Sequence, residues 1–554
     1  MKSVISCGVF AVCLSVAAAQ ARDHGQASPG SSSSSIETQL LSGTAADARL
    51  VSVRELRIFY TERGHRPAWR SGERLSPQID ALLDALRSAE REGLRPADYH
   101  LAAIDALIAR LRVAGGVTTP AAVTVADDLD LLLSDAFLLY ASHLTSGRVR
   151  PTSVEPEWNI PGRARNLTFL LATALEHGHL APTLAALPPT RDDYRLLREA
   201  LATLRAIAAA GGWPLVPGGS SLREGDRGPR VALLRQRLAA TGELPPGADT
   251  QGETFDAPLT DALRRFQVRH GLEPDAIAGR LTLAALNVPA LQRSRQVEAN
   301  LERLRWLPRD LGPRHLLVNL ADFSLALTEP GAPTLAMRVI VGRLARRTPF
   351  FTGEITGILF NPNWTVPEKL AVEDKLPLII DDPSYLAEHG FKVFARSGDA
   401  WREIDPATVD WTSLSATRFP YRLRQDPGPG NALGRIKFQI PNRHDIYLHD
   451  TPSHELFAHA ERAFSSGCIR VELAVDLAER LLAADPAWTR ARIEETIAAG
   501  STVSVRLPEP LPVFLLSWTV WVDRNGALQL RDDIYGRDAA LLEALAQPPG
   551  MGQK

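Results

Sequence analysis

Ser465-Ser466-Gly467-Cys468-Ile469-Arg470-Val471, with leucines following at 473, 477 and 481, decides how the second half of this chain is read. The Ser-Ser-Gly approach is turn-like, and the leucine spacing announces a helix, so Cys468 stands shortly before a helix N-terminus. A nucleophilic cysteine needs a thiolate, a nearby base and donors for a developing oxyanion. Gly467 leaves the backbone unencumbered, so adjacent amides can converge on a carbonyl oxygen. The positive end of the helix and Arg470 both favour the thiolate. Unpaired cysteines are most often small buried hydrophobes, but these flanks are turn-like rather than core-like. Ser465 and Ser466 are alternative nucleophiles in principle; a hydroxyl needs stronger activation than a thiol, and turn formation is their plainer role.

His449 lies nineteen residues upstream in Ile446-Tyr447-Leu448-His449-Asp450, a strand-like run closed by Thr451-Pro452, and is the expected base. Asp450 is a tempting third member, but neighbours on a strand face opposite ways. A backbone carbonyl is therefore the expected partner of the imidazole. Histidines 444, 449, 454 and 459 recur every five residues, which raises the question of zinc. Five-residue steps rotate side chains by about 140° on a helix and alternate faces on a strand, and closely spaced cysteines are missing. No metal and no cofactor are expected.

The N-terminus bears on the cysteine. Lys2, an apolar run from Val4 to Val16 and small residues at Ala17-Ala18-Ala19-Gln20-Ala21 have the three parts of a secretory signal over residues 1–21. The run is shorter than the roughly 20 residues that span a bilayer; an uncleaved anchor is the alternative. Of three cysteines, Cys7 and Cys13 lie in this signal, so an exported chain keeps only Cys468 and no internal disulfide. Residues 22–35, with serines from 31 to 35, form a flexible linker. A length of 554 residues suggests about three or four domains. A net charge of −2, with acidic residues interspersed among the arginines, gives no pull toward nucleic acid or membrane.

The fold class is multidomain α+β. Residues 36–215 read as a helical scaffold domain, with apolar residues at three- and four-residue spacing over 79–86 and 128–144, and breaks at Gly93-Leu94-Arg95-Pro96, Gly115-Gly116, Ser146-Gly147 and Gly211-Gly212. No cluster of nucleophile, base or ligand is evident there. Residues 220–290 form a smaller helical module, and a charged helix follows over 291–304. Short β-rich runs at 316–320, 337–341 and 357–360 open a β-rich domain over 312–507. Its stretch 366–423 has weaker β pattern and reads as an inserted lid over a site. The tail, 508–554, adds strand-like runs at 514–522 and 527–530 and is expected to pack on the scaffold or the β-rich domain.

Three groups of motifs carry a resemblance. Gly225-Asp226-x-Gly228, Phe266-Gln267-x-x-His270-Gly271-Leu272 and Asp275-x-x-x-Gly279-x-x-Thr282 resemble the three-helix peptidoglycan-binding domain. Ala276 stands where that family usually has glycine, so that turn is expected to differ slightly; wall binding is the expected role, with a ligand-free spacer as the alternative. His449, Ser465-x-Gly467-Cys468 and Arg470 resemble the signature of the L,D-transpeptidases with a YkuD-type catalytic domain, with Ser466 in place of the usual histidine. Asn361-Pro362-x-Trp364-x-Val366-Pro367, Leu423-Arg424-Gln425-x-Pro427-Gly428 and Asn431-x-Leu433-Gly434 resemble the large Gram-negative members. Phe59-Tyr60 and Ser146-Gly147-Arg148 are similar to their scaffold domain.

The resemblance implies Cys468 as acylated nucleophile and His449 as general base, with Ser466, Gly467 and Arg470 shaping the oxyanion site. Trp364 and Tyr447 are candidates for lining it, with core aromatics as the alternative. It further implies a periplasmic enzyme acting on peptidoglycan stems: a tetrapeptide donor, a diaminopimelate acceptor and a 3→3 cross-link. Carbapenems are then covalent inhibitors, and cell-wall synthases candidate partners. Two other readings stay open: a peptidase using water as acceptor, and a non-catalytic wall-binding scaffold.

Overall fold

A computed structural model describes residues 35–551; the signal and nearly all of the linker fall outside the described residues. The scaffold is built around helix α1, Pro120–Ser146. Thr119 caps it by accepting the Ala122 amide, with proline at the first helical position. Every residue from Leu129 to Ser146 is buried, as befits a helix apolar nearly all round. Its buried carboxylates are satisfied. Asp130 accepts the Tyr60 hydroxyl at 2.6 Å and the amides of Ala68 and Trp69 at 2.8 and 2.7 Å, and Asp135 accepts those of Val51 and Ser52.

Helix α2, Ala290–Trp306, joins scaffold to barrel. Leu301 and Leu304 share one core with Leu197 and Leu201 of the scaffold and with Phe514 and Leu516 of the barrel side. Glu302, fully buried, accepts from the Val149 amide at 2.7 Å and pairs with Arg305 at 2.9 Å. At Gly147 the chain runs so close that an added Cβ would sit 2.6 Å from both Glu302 Oε1 and Trp306 Nε1. Only glycine fits there.

The small module has helices at Pro229–Ala239, Ala257–Arg269 and Arg280–Leu286 around Val231, Leu234, Leu263 and Phe266. Ala276 takes φ +60°, the left-handed conformation a glycine would take, and its amide bonds Gln267 Oε1 at 2.8 Å. The turn is kept despite the substitution. The module is tied down by Arg269 Nε to the Leu528 carbonyl at 2.9 Å and by the Ala460 amide to Glu273 at 2.6 Å.

The β-rich part is a closed barrel of eight strands. In chain order these are β1 His315–Asn319, β2 Ser324–Thr328, β3 Leu335–Ile340 and β4 Phe351–Phe360. After an insertion come β9 Ile436–Gln439, β10 Leu448–His449, β11 Ile469–Val471 and β12 Val503–Leu516. Around the barrel they run β9-β10-β11-β3-β2-β1-β12-β4, parallel at β10–β11 and β1–β12 and antiparallel elsewhere. Helix α3, Ala474–Leu482, packs Leu477 and Leu481 onto the barrel core, and helix α4, Arg537–Ala546, packs Leu541 near Trp306.

Two expectations need correction. A tail beginning at 508 cuts through β12, whose Val513 to Leu516 pair with β1; this strand is integral to the barrel. Prolines 508, 510 and 512 disguise it, because they lack ladder donors and the register shifts between Arg506 and Leu511. The insertion is more β than its pattern suggests. Strands β5 Trp364–Thr365, β6 Phe391–Ser397, β7 Ala400–Ile404 and β8 Tyr421–Gln425 form an antiparallel sheet ordered β7-β6-β8-β5. Few residues in it are buried, notably Val393 and Leu423, so the alternation is faint.

Candidate active site

Strand register aligns the site. Lys437 on β9 pairs with His449 on β10, and His449 pairs with Arg470 on β11. Paired residues share a face, as do residues two apart on a strand. Ile436, Phe438, Leu448, Ile469 and Val471 fill the barrel core on one face. The opposite face presents Lys437, Tyr447, His449, Cys468 and Arg470 to one cleft of about 1020 Å³. The insertion supplies the facing wall through Trp364, Pro367, Leu370 and Lys375.

His449 Nδ1 lies 2.5 Å from the carbonyl oxygen of Asp450. A carbonyl only accepts, so Nδ1 carries the proton and Nε2 holds the ring's lone pair. Burial lowers the imidazole pKa to about 3, helped by Arg470 and Lys437, while hydrogen bonds to backbone pull the other way. The ring is neutral at physiological pH. The Asp450 carboxylate is engaged elsewhere, accepting the Arg435 amide at 2.8 Å.

Cys468 is partly exposed, and its thiol donates weakly to the Asp445 carbonyl at 3.7 Å. Burial raises its pKa, opposed by hydrogen bonds from the backbone and side chain of Tyr447 and by the charge of Lys437. The helix gives no help, contrary to expectation. Strand β11 intervenes, α3 begins only at Ala474, and a helix dipole acts within about its first turn.

The turn before the thiol is held from three sides. Ser465 Oγ donates to the Cys468 carbonyl at 2.5 Å and accepts the Gly467 amide at 3.1 Å. Thr348 donates to the Gly467 carbonyl at 2.8 Å. Gly467 takes φ +121°, where a side chain is strained. Its amide is thus committed to Ser465 and is not the free oxyanion donor expected. Ser466 Oγ accepts from Arg346 at 2.9 Å, and Arg346 also pairs with Asp374 and Glu373 of the insertion. This serine couples the turn to the lid.

Trp364 of the insertion and Tyr447 of the barrel line the same cleft, and the Trp364 side chain favours ionisation of the Tyr447 hydroxyl against its burial. The Lys437 ammonium sits 3.7 Å from the Tyr447 ring centroid. Neither Lys437 nor Arg346 is evident from motif reading. The two-residue alternation of Ile436-Lys437-Phe438 was the available signal for the first. The other histidines disperse: His444 toward Glu157, His454 toward Asp450 and His459 against Phe464. Among the described residues no three potential ligands converge on a metal position.

Three family models match the chain: a scaffold domain over 54–201, a "Putative peptidoglycan binding domain" over 227–286 and the L,D-transpeptidase catalytic domain, YkuD, over 313–499. A curated protein of Haemophilus influenzae, described as "Putative L,D-transpeptidase", is 39% identical over 245 residues, 44% of this chain and 48% of that one. The chain thus spans about half the length of that relative. A crystal structure of an L,D-transpeptidase fragment from Xylanimonas cellulosilytica aligns with 54% of this chain and 98% of that one at 15% identity, with a TM-score of 0.17, too low to support any inference. With its cleft on the 313–499 segment, this chain carries an L,D-transpeptidase catalytic domain of the YkuD type, preceded by a scaffold domain and a putative peptidoglycan-binding domain.

Proposed function

We propose that the protein is a murein L,D-transpeptidase that makes 3→3 cross-links through an acyl-enzyme on Cys468. The observation that carries this reading is the neutral His449 imidazole, its Nδ1–H held by the Asp450 carbonyl, in the same cleft as the thiol. Cys468 Sγ attacks the carbonyl of the L-centre of diaminopimelate in a tetrapeptide stem while His449 Nε2 takes the thiol proton. The tetrahedral intermediate collapses, His449 returns the proton to the departing amine, and D-alanine leaves. The side-chain amine of a second stem's diaminopimelate then attacks the thioester; His449 accepts its proton, the new amide forms, and the thiol is restored. The Cys468 amide, without a hydrogen bond among the described residues, is our candidate oxyanion donor. Arg470 flanks the base, and Tyr447 and Trp364 line the donor. The neighbouring wall-binding module, the periplasm, carbapenem acylation of Cys468 and cell-wall synthase partners complete the proposal.

Mass spectrometry of products from purified tetrapeptide muropeptides tests it. Cross-linked dimers that have lost one D-alanine are expected, and Cys468→Ala abolishes them in a folded protein. Tripeptide without dimer would mean that water is the acceptor, and products unchanged by Cys468→Ala would refute the mechanism.

A further inference from the structure

Four lysines lie among the described residues: 369, 375, 392 and 437. Lys369 and Lys392 pair with carboxylates, and Lys375 donates to the Tyr385 hydroxyl at 2.9 Å. Lys437 alone has neither an ion pair nor a hydrogen bond among them, although it is partly buried. Its register opposite His449 and the burial of Ile436 and Phe438 on the other face aim it into the cleft. Its ammonium rests on the Tyr447 ring, and the Tyr447 side chain hydrogen-bonds the Cys468 thiol. Burial lowers the lysine's pKa, with Cys468 and then Asp445 opposing that from a distance. A desolvated cation without a counter-ion is costly, and a bound carboxylate would relieve it.

We propose that Lys437 is the counter-ion for the C-terminal carboxylate of the donor stem, and that it thereby selects donors with a single residue beyond the scissile bond. This rests on the transpeptidase reading above. In a tetrapeptide donor the leaving D-alanine carries its carboxylate on the carbon bonded to the scissile nitrogen. With the attacked carbonyl at Sγ, that carboxylate lies beside the thiol, where the Tyr447 ring seats Lys437. A donor one residue longer moves the charge away and puts a neutral amide over the ammonium. Arg346 is committed to the insertion. Arg470 is the other uncommitted cation of the cleft, on the far side of His449, and its part is separated by experiment.

The experiment is a two-by-two comparison on the full chain: wild type and Lys437→Met, each with a tetrapeptide donor ending in a free carboxylate or in a carboxamide. Acylation of Cys468 is followed by intact-protein mass spectrometry. The wild type should acylate roughly tenfold to a hundredfold slower with the amide, the usual value of a hydrogen bond to a charged group. Lys437→Met should be slowed to a similar extent with the free acid and lose nothing further on amidation. Lys437→Arg should restore most of the preference, and Lys437→Met should narrow the gap between tetrapeptide and pentapeptide donors. Equal wild-type rates for acid and amide overturn the proposal. So does full preference retained in Lys437→Met, which would assign the carboxylate to Arg470. Absence of acylation with every donor defeats the transpeptidase reading itself, and this assignment with it; that outcome is distinct from acylation without preference.

Discussion

The thiol and the imidazole that share this cleft are both neutral at rest, and alkylation of Cys468 across pH reads that state directly. Burial holds the thiol above its ordinary 9.0, so at pH 7 at most about 1% is thiolate, from 10 to the power 7 − 9. His449, near 3, is protonated in only about one molecule in ten thousand at that pH. Moving the proton from a thiol whose pKa burial raises to an imidazole near 3 is steeply uphill before substrate arrives. In the proposed acylation the proton therefore moves as the sulfur–carbon bond forms. In stopped-time alkylation with iodoacetamide, the Cys468 rate should rise about tenfold per pH unit from 6 to 8, with no plateau below about pH 9. Tyr447→Phe should lower the rate at pH 8, because it removes a hydrogen bond that favours the thiolate. A rate independent of pH between 5 and 8 would show a preformed thiolate–imidazolium pair and refute this reasoning.

The same burial should appear in stability. His449 and His143 both have folded pKa values near 3 against 6.5 unperturbed. The unfolded chain takes up these protons first, so their contribution is whole above about pH 6.5 and is lost as pH falls toward 3. At pH 5 each removes about 2 kcal/mol. Urea unfolding followed by tryptophan fluorescence should show a much lower midpoint at pH 5 than at pH 7.5; equal midpoints would contradict it. Arg346→Ala should release Ser466 and the 373–374 segment of the insertion together. The Arg346 side chain is largely buried but its carboxylate partners are 46% and 31% exposed, so about 1 kcal/mol and a severalfold loss in Cys468 acylation are expected. Limited proteolysis within 368–388 should accelerate without a change in global unfolding, and an unaltered cleavage rate would argue against coupling of lid and turn.

How much of this the sequence carries depends on how local the signal is. The turn at Ser465-Ser466-Gly467-Cys468 and the strand ending at His449 each lie within a few residues, and their residue types state their chemistry. The register that places Lys437, His449 and Arg470 in one row across three strands is nonlocal, because β9, β10 and β11 are separated by loops whose lengths say nothing about pairing. The leucine pattern after Val471 does mark a helix, but not the intervening strand, so the helix lies too far from Cys468 to act on it. Gly467 reads as an open backbone, yet its amide is consumed by Ser465, a bond between residues two apart that composition does not foretell. The prolines of 508–512 break the alternation of β12 just where that strand enters the barrel, and the tail looks detached for that reason.

The proposed chemistry requires a covalent acyl-enzyme on Cys468. Full-length protein incubated with a tetrapeptide muropeptide and analysed by intact and peptide-level mass spectrometry should carry an adduct equal to the donor minus D-alanine. The adduct should map to the peptide containing Cys468 and be absent from Cys468→Ala. An adduct on another residue, or cross-linked product formed by Cys468→Ala at the wild-type rate, would rule out Cys468 as the acylated nucleophile.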